Sequence, residues 1–360
     1  MIKAHPESIT NLISRTLSGA WRREPTTLDI SVEELERVAP LLLGSGAGAL
    51  GWCRVRNLEL RSSSVAFQLH QAYRKHTLEA ALHELHIKES FARLRSNHIE
   101  PVLVKGWAIA RFYPERGMRP YDDVDLVVPV EQYTAAEAII NQAENLRGYV
   151  DLHKGFREVD PLNDEEILCA NSLLAMLDDV GVRVLRPEDS LRALCLHLLR
   201  HGAFRPLWLC DIGVAVESRP PEFDWDRCLG ANKRTADWVA CTIGLANQLL
   251  GARIADTPIV KRANNLPSWL IPSVLKQWET PFSKNHGAAK HFAQMLTYLR
   301  HPSGVLRDLK ARWPDPIEAT VYIGGPFNEI PRFPFQIGEC IGRTAKFIAR
   351  LPKPLRDGDD

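Results

Sequence analysis

The sequence predicts an α+β fold that is mostly helical, with a small sheet flanked by helices and an α-helical C-terminal domain. Short apolar runs typical of buried strands occur at residues 101–104, 123–128 and 182–185. Residues 64–96, and most of the chain after Pro187, instead carry apolar residues at helical spacing. We predict an N-terminal helical segment at residues 1–62, a core that holds the strands at 63–186, and the α-helical domain at 187–360.

The N-terminal segment contains two predicted helices, at residues 9–17 and 32–43. Ser31 and Glu34 stand at the spacing of a capping box that begins the second helix. Residues 44–51 then match the pattern G-x-G-x-x-G, but no strand precedes it and no βαβ unit follows. We therefore interpret this stretch as a flexible loop between helices rather than a dinucleotide site.

The long helix at residues 64–96 is predicted to pack against the sheet and to lead into its first strand. Its predicted apolar positions are Leu69, Tyr73, Leu78, Leu82, Leu85, Phe91 and Leu94. It also carries His70, His76, His83 and His86, which we interpret as solvated residues of the helix surface, since no further metal ligand accompanies them. After the strands, Pro187 is typical of the first turn of the next helix.

Composition predicts an ordinary globular protein with 360 residues, 45% of them hydrophobic and 25% charged. The net charge of +1 argues against strong nonspecific binding to nucleic acid. Seven cysteines without a C-x-x-C pair indicate free thiols in a reducing compartment. Since neither a signal peptide nor an apolar span of about 18 residues is evident, we expect a cytoplasmic protein without membrane contact.

The pair Asp123 and Asp125 is the strongest indication of chemistry. Residues two apart in a strand point to the same face, so both carboxylates should enter one cleft while Val124, Leu126 and Val128 face the other way. Two converging carboxylates repel each other unless a cation lies between them. Hard oxygen ligands of this kind suit Mg²⁺.

Neighbouring residues predict a phosphate site. Lys105 and Gly106 end the apolar run at residues 101–104 and precede a helix-like segment. A strand, a glycine turn and a helix start can surround phosphate with backbone N–H groups. Arg119 lies four residues before Asp123, close enough to bring a guanidinium to the same phosphate.

The order of these motifs resembles a known family. The chain contains Lys-Gly, then a short predicted helix, then Arg-Pro-x-x-Asp-x-Asp-Leu-x-Val. This order resembles that of the uncharacterised nucleotidyltransferase family of the polymerase-beta-like superfamily. A later segment, LRPEDSLRALCLHLLRHGAFRPLWLCDIG, resembles the helical half of that family, as do FDWDRCL and GLANQLLGARI after it. The resemblance covers roughly residues 40–250.

This resemblance implies a small mixed nucleotidyltransferase-type sheet and transfer of a nucleoside monophosphate from a nucleoside triphosphate to an acceptor. It implies that Asp123 and Asp125 bind Mg²⁺ or Mn²⁺. Asp151, with Asp160 in reserve, would be the third metal ligand or the general base. The chain departs from the family at Trp107, where glycine or serine is common, and this side chain could narrow the phosphate site.

The acceptor is left open between a small molecule, a protein and RNA. His197, His201, Trp208 and Asp211 either line an acceptor pocket, or else Trp208 and Leu209 belong to the core and Asp211 caps the next helix. Two alternative functions are a catalytically impaired nucleotide-binding or regulatory protein and a toxin-like nucleotidyltransferase that acts on RNA. Arg192 and His197 also satisfy the R-x-x-x-x-H pattern of some nucleases, a two-residue match that carries little weight.

Overall fold

A computed structural model describes residues 7–156, 172–279 and 313–350. The strands are β1 (Val102–Leu103), β2 (Val124–Val128), β3 (Val150–Lys154), β4 (Leu173–Leu177) and β5 (Val180–Val184). The helices are α1 (Ile9–Leu17), α2 (Val32–Ser45), α3 (Gly48–Val55), α4 (Ser64–Arg95), α5 (Gly106–Ala110), α6 (Tyr133–Gln142), α7 (Pro187–Arg200), α8 (Pro206–Glu217), α9 (Trp225–Leu229), α10 (Lys233–Leu250), α11 (Val260–Asn264), α12 (Leu270–Glu279), α13 (Pro316–Ile323) and α14 (Phe333–Arg350). The predicted α+β, mostly helical fold is confirmed. Asp160 lies outside the described residues.

The five strands form one mixed sheet in the order β3-β2-β1-β5-β4. β2 pairs parallel with β3 and antiparallel with β1, while β5 pairs parallel with β1 and antiparallel with β4. β2 therefore has a hydrogen-bonded neighbour on each side. This strand lies inside the sheet rather than at its edge.

The sheet and the helices each have a hydrophobic core, and a small third cluster joins strand residues to Ala193 of α7. Val124, Leu126 and Val128 of β2 pack in the sheet core, which α4 covers with residues such as Phe91. The larger core belongs to the helices, and α1 and α2 share it with α7, α8 and α10. The boundaries near residues 62 and 186 stay predictions.

The beginning of α2 follows the predicted capping box. Glu34 N donates to Ser31 Oγ at 3.2 Å, and Ser31 N donates to Glu34 Oε2 at 3.0 Å. These two bonds satisfy backbone N–H groups that the first turn of a helix leaves without partners.

The prediction of a flexible loop at residues 44–51 is wrong for most of that range, because residues 44 and 45 belong to α2 and residues 48–51 belong to α3. Gly46 ends α2 in the left-handed region, and α3 begins at Gly48. A Cβ on Gly48 would lie 2.8 Å from Leu43 Cδ2, and one on Gly51 would lie 3.0 Å from Leu42 Cδ1. The glycines of this motif therefore allow α3 to pack closely against α2.

The predicted orientation of α4 also needs correction. Leu78, Leu82 and Leu85 are exposed, whereas His83 and His86 are buried. The ring centroids of His83 and Tyr121 lie 5.2 Å apart, and those of His86 and Tyr149 lie 4.6 Å apart. Burial lowers the pKa of both histidines. These two histidines therefore pack against tyrosines as neutral rings rather than forming a solvated surface.

The six cysteines within the described residues are free thiols, as predicted for them. Cys169 lies outside that part of the chain. None of the described helices is both long and apolar enough to cross a membrane. The cytoplasmic location stays a prediction.

Candidate functional site

The parallel pairing of β2 with β3 places three aspartates on one side of the sheet. Asp125 and Asp151 are paired in register, so their side chains share a face. Asp123 stands two residues before Asp125 and has the same alternation, and His153 stands two residues after Asp151. The three aspartates line one cleft between the sheet and the helices α7 and α8.

Asp125 is the most constrained of these carboxylates. Its Oδ1 lies 2.9 Å from Lys105 Nζ and 2.8 Å from His153 Nε2, whereas its Oδ2 has no hydrogen bond to any described residue. Burial alone would raise the pKa of Asp125, but the contacts with His153 and Lys105 hold it below its usual range. Asp125 is therefore ionised at neutral pH, with one oxygen left for a ligand in the cleft.

Asp123 and Asp151 differ from Asp125 in their surroundings. Burial raises the pKa of Asp123 to about 6, and the negative charges of Asp125 and Asp151 add to this rise. The side chain of Asp151 is 56% exposed, and its Oδ2 lies 3.5 Å from His153 Nε2. The cleft thus combines one deep carboxylate, one half-buried carboxylate under repulsion and one that solvent reaches.

The donor atoms of this cleft fit a divalent cation. Oxygen atoms of Asp125 and Asp151 and a nitrogen of His153 all lie within 4.8 Å of one another. The cleft is lined by five carboxylates and three cationic side chains, which are Asp122, Asp123, Asp125, Asp151, Asp211, Lys105, Arg119 and Arg205. The excess of two negative charges matches one divalent ion. Carboxylate oxygens suit Mg²⁺ and Mn²⁺.

A tight turn between β1 and α5 carries the predicted phosphate residues. Lys105 has φ 51° and Gly106 has φ 38°, both in the left-handed region. A lysine held in this region costs about 1–3 kcal/mol, which the surrounding structure must offset. A Cβ on Gly106 would still be 3.6 Å from the nearest atom, Asp123 O, so backbone conformation rather than space requires glycine. The turn brings Lys105 to Asp125.

Trp107 does not narrow the site, contrary to the concern raised by its position in the sequence. Its side chain is buried in the sheet core and is absent from the cleft lining. The glycine before it directs the chain into α5, and the indole then points away from the aspartates. α5 has only five residues, so its dipole can add little to a phosphate site.

Arg119 lies at the cleft but is bound to Asp211. Its Nε donates to both carboxylate oxygens at 3.2 Å, its Nη2 donates to Oδ2 at 2.8 Å, and its Nη1 donates to Pro120 O. Tyr113 Oη also donates to Asp211 Oδ1 at 2.8 Å. Asp211 lies inside α8 and accepts these side-chain bonds, so it does not cap a helix.

Two aromatic residues, His197 of α7 and Trp208 of α8, line the opposite wall of the cleft, whereas His201 is exposed and does not line it. The ring of His197 lies 4.5 Å from that of Trp208, and His201 lies 5.3 Å from Trp208. Burial lowers the pKa of His197 to about 2, and the charge of Lys105 adds to this. His197 is therefore a neutral ring. Arg192, by contrast, is absent from the cleft lining and donates to Leu229 O.

His153, which contacts Asp125, and the cleft residues Arg205 and Asp122 received no role from sequence reasoning. His153 could have been found from strand alternation, since it stands two residues after Asp151. Arg205 precedes Pro206, the first residue of α8, and Trp208 and Asp211 follow on that helix. Arg205 could have been found because it is a cationic residue at the beginning of a helix that carries two other cleft residues.

A family model described as an uncharacterised nucleotidyltransferase matches residues 36–154 and 150–251, together more than half of the chain. A solved structure of an antigenic nucleotidyltransferase-like protein from Paracoccidioides brasiliensis is 14% identical, with a TM-score of 0.35, over 51% of this chain and 92% of that one. No curated protein matches the sequence.

Proposed function

This chain belongs to the uncharacterised nucleotidyltransferase family, and we propose that it transfers a nucleoside monophosphate from a nucleoside triphosphate to an acceptor. Asp123 and Asp125 would hold Mg²⁺ or Mn²⁺ in the cleft. The observation that carries the proposal is the in-register pairing of Asp125 with Asp151, beside Asp123 and within reach of Lys105. It brings three carboxylates and a lysine together from three separate segments.

The surroundings of each residue support a division of roles. A divalent ion would neutralise phosphate charge and act as a Lewis acid. Asp125, which is buried and ionised, and Asp123, which is half-buried, would supply its oxygen ligands. Lys105 orients Asp125 and lies beside the place where phosphate would bind. Asp151 also belongs to the group of donor atoms that could hold the ion, but it is exposed and is the carboxylate that an acceptor hydroxyl can reach. We therefore assign it the role of general base rather than that of a metal ligand.

Arg119 has a narrower role here than its sequence position predicts. Three of its five N–H groups are already bound to Asp211 and Pro120. A phosphate contact would use the remaining two, with the positive charge already shared by Asp211.

The position of Trp107 removes the main reason to regard this protein as an impaired nucleotide binder. That alternative required the indole to obstruct the phosphate site, and the indole instead packs in the sheet core.

The proposal is tested by incubating the protein with Mn²⁺ or Mg²⁺, labelled nucleoside triphosphates, and separate pools of transfer RNA, protein and small molecules. Label should appear in one pool, and that pool identifies the acceptor class. Asp123→Asn and Asp125→Asn should each abolish transfer while the far-ultraviolet circular dichroism stays that of the wild type. Asp179→Asn is the matched control, because its side chain is 86% exposed and does not line the cleft. Transfer that persists in the doubly substituted protein would overturn the proposal.

A further inference from the structure

Three cationic side chains line the cleft, and two of them have carboxylate partners. Lys105 Nζ lies 2.9 Å from Asp125 Oδ1, and Arg119 Nη2 lies 2.8 Å from Asp211 Oδ2. Arg205 forms no ion pair with any residue in the described ranges. Its positive charge is therefore the one most available to an anion in the cleft.

The guanidinium of Arg205 is held in place by contacts that leave most of its donors unused. Its Nε donates to Ser45 O, at the end of α2, at 2.8 Å. The guanidinium carbon lies 5.5 Å from the ring centre of Trp208. Neither Nη group donates to an acceptor among the described residues, so four N–H donors stay available.

Gly46 contributes to this arrangement. A Cβ at position 46 would lie 2.9 Å from Arg205 Nη2, so the guanidinium would have to shift from its present position. The glycine that ends α2 thus leaves room for the guanidinium beside the cleft. Ser45, Gly46 and Arg205 form one local unit in which α2 orients an arginine that belongs to the beginning of α8.

The electrostatic environment of Arg205 favours an anionic ligand. Burial lowers its pKa, and the charge of Arg119 adds to this effect, while Asp122, Asp211 and Asp123 act in the opposite direction. No carboxylate reaches contact distance in the described part of the chain. The positive charge of this half-buried guanidinium is only partly balanced by the distant carboxylates. An anion that accepts two hydrogen bonds from its planar N–H groups would therefore stabilise it.

We propose that Arg205 binds the polyphosphate chain of the donor nucleotide, the contact that the sequence pattern assigns to Arg119. This proposal rests on the proposed function and adds the residue that holds the phosphates from the helical wall. Lys105 and Arg205 would then approach the phosphates from opposite sides of the cleft.

The test is calorimetric binding of inorganic tripolyphosphate, and of each of the four common nucleoside triphosphates, in the presence of Mn²⁺. Arg205→Gln should weaken binding of tripolyphosphate about 10- to 100-fold, since it removes charge-assisted hydrogen bonds. Arg205→Lys should restore only part of the loss, because an ammonium keeps the charge but not the two-bond geometry. Arg219→Gln is the matched control. Arg219 also lies over a tryptophan ring, that of Trp225, but outside the cleft.

The outcomes separate the two proposals. If the wild type binds triphosphate and Arg205→Gln binds it equally tightly, the role of Arg205 is wrong and the proposed function stands. If the wild type binds no triphosphate with Mn²⁺, both fail. Should Arg205→Gln unfold, Arg205→Lys decides, because undiminished binding by a folded lysine variant would contradict recognition by the guanidinium fork.

Discussion

Arg119 and Asp211, 92 residues apart, form a buried ion pair that joins the loop after α5 to the middle of α8. Burial would lower the pKa of Arg119, but the charge and hydrogen bonds of Asp211 outweigh this effect and raise the pKa above its usual value. Tyr113 completes the arrangement through its bond to Asp211. The pair therefore connects the segment before β2 with the helical wall of the cleft.

Removing one member of this pair should destabilise the protein strongly. Asp211→Ala leaves Arg119 charged and buried without its partner, which typically costs about 3–5 kcal/mol. We expect this decrease in the free energy of unfolding, measured in urea at pH 7. The exposed substitution Asp179→Asn should change it by less than about 0.5 kcal/mol. A similar small change for Asp211→Ala would mean that the ion pair is not formed.

Substitutions of Asp125 and Asp151 should differ in their effects on cation binding. Asp125→Asn should weaken Mn²⁺ binding by at least about tenfold, because a buried charged ligand is lost. Asp151→Asn should leave Mn²⁺ binding nearly unchanged but slow transfer by about 10²- to 10⁴-fold, the usual contribution of a general base. Calorimetry and single-turnover kinetics measure the two effects. Loss of Mn²⁺ affinity in Asp151→Asn would instead make Asp151 a third metal ligand.

Features of the site that depend on neighbouring residues in the sequence could be predicted, whereas contacts between residues far apart in the sequence could not. Strand alternation is local, and it was enough to place Asp123 and Asp125 on one face. The pairing of Asp125 with Asp151 depends on the register of two strands, which the sequence suggests only through family resemblance. Arg119 finds its partner in Asp211, on a helix far along the chain, and no local pattern contains that pairing.

The orientation of α4 shows a similar limit. Its helical periodicity was correctly predicted, but two surfaces of the helix compete for burial. Leu78, Leu82 and Leu85 form one surface, and His83 and His86 lie on the other. The tyrosines that receive the histidines come from loops beside β2 and β3, so tertiary packing decides which surface is buried.

Binding of Mn²⁺ should depend on pH through Asp123. The pKa of this carboxyl is raised to about 6, chiefly by burial. Above that value the group is ionised and available to a cation, and below it a proton competes for the same oxygen. We expect affinity to fall towards about tenfold per pH unit below pH 6. Asp123→Asn should bind more weakly at pH 7 and show a shallower dependence. Equal slopes for the two proteins would assign the competing proton to another group.

Stability should depend on pH through Asp315, away from the cleft. Its Oδ1 accepts from Ile317 N and Glu318 N at the beginning of α13, and its Oδ2 accepts from Gln277 Nε2. Burial raises the pKa of Asp315 from 3.8 to about 6, despite these bonds. Between those values the folded state binds more protons than the unfolded state, so stability falls as pH rises.

The matched variant for this effect is Asp315→Asn, which keeps an oxygen for the cap and cannot titrate. Urea unfolding at several pH values from 4 to 7 measures both proteins. The free energy of unfolding of the wild type, minus that of the variant, should decrease as pH rises through this range. A constant difference would mean that the carboxyl of Asp315 titrates alike in the folded and unfolded states. Because the cap bonds are common to both proteins, the slope isolates the effect of burying the charge.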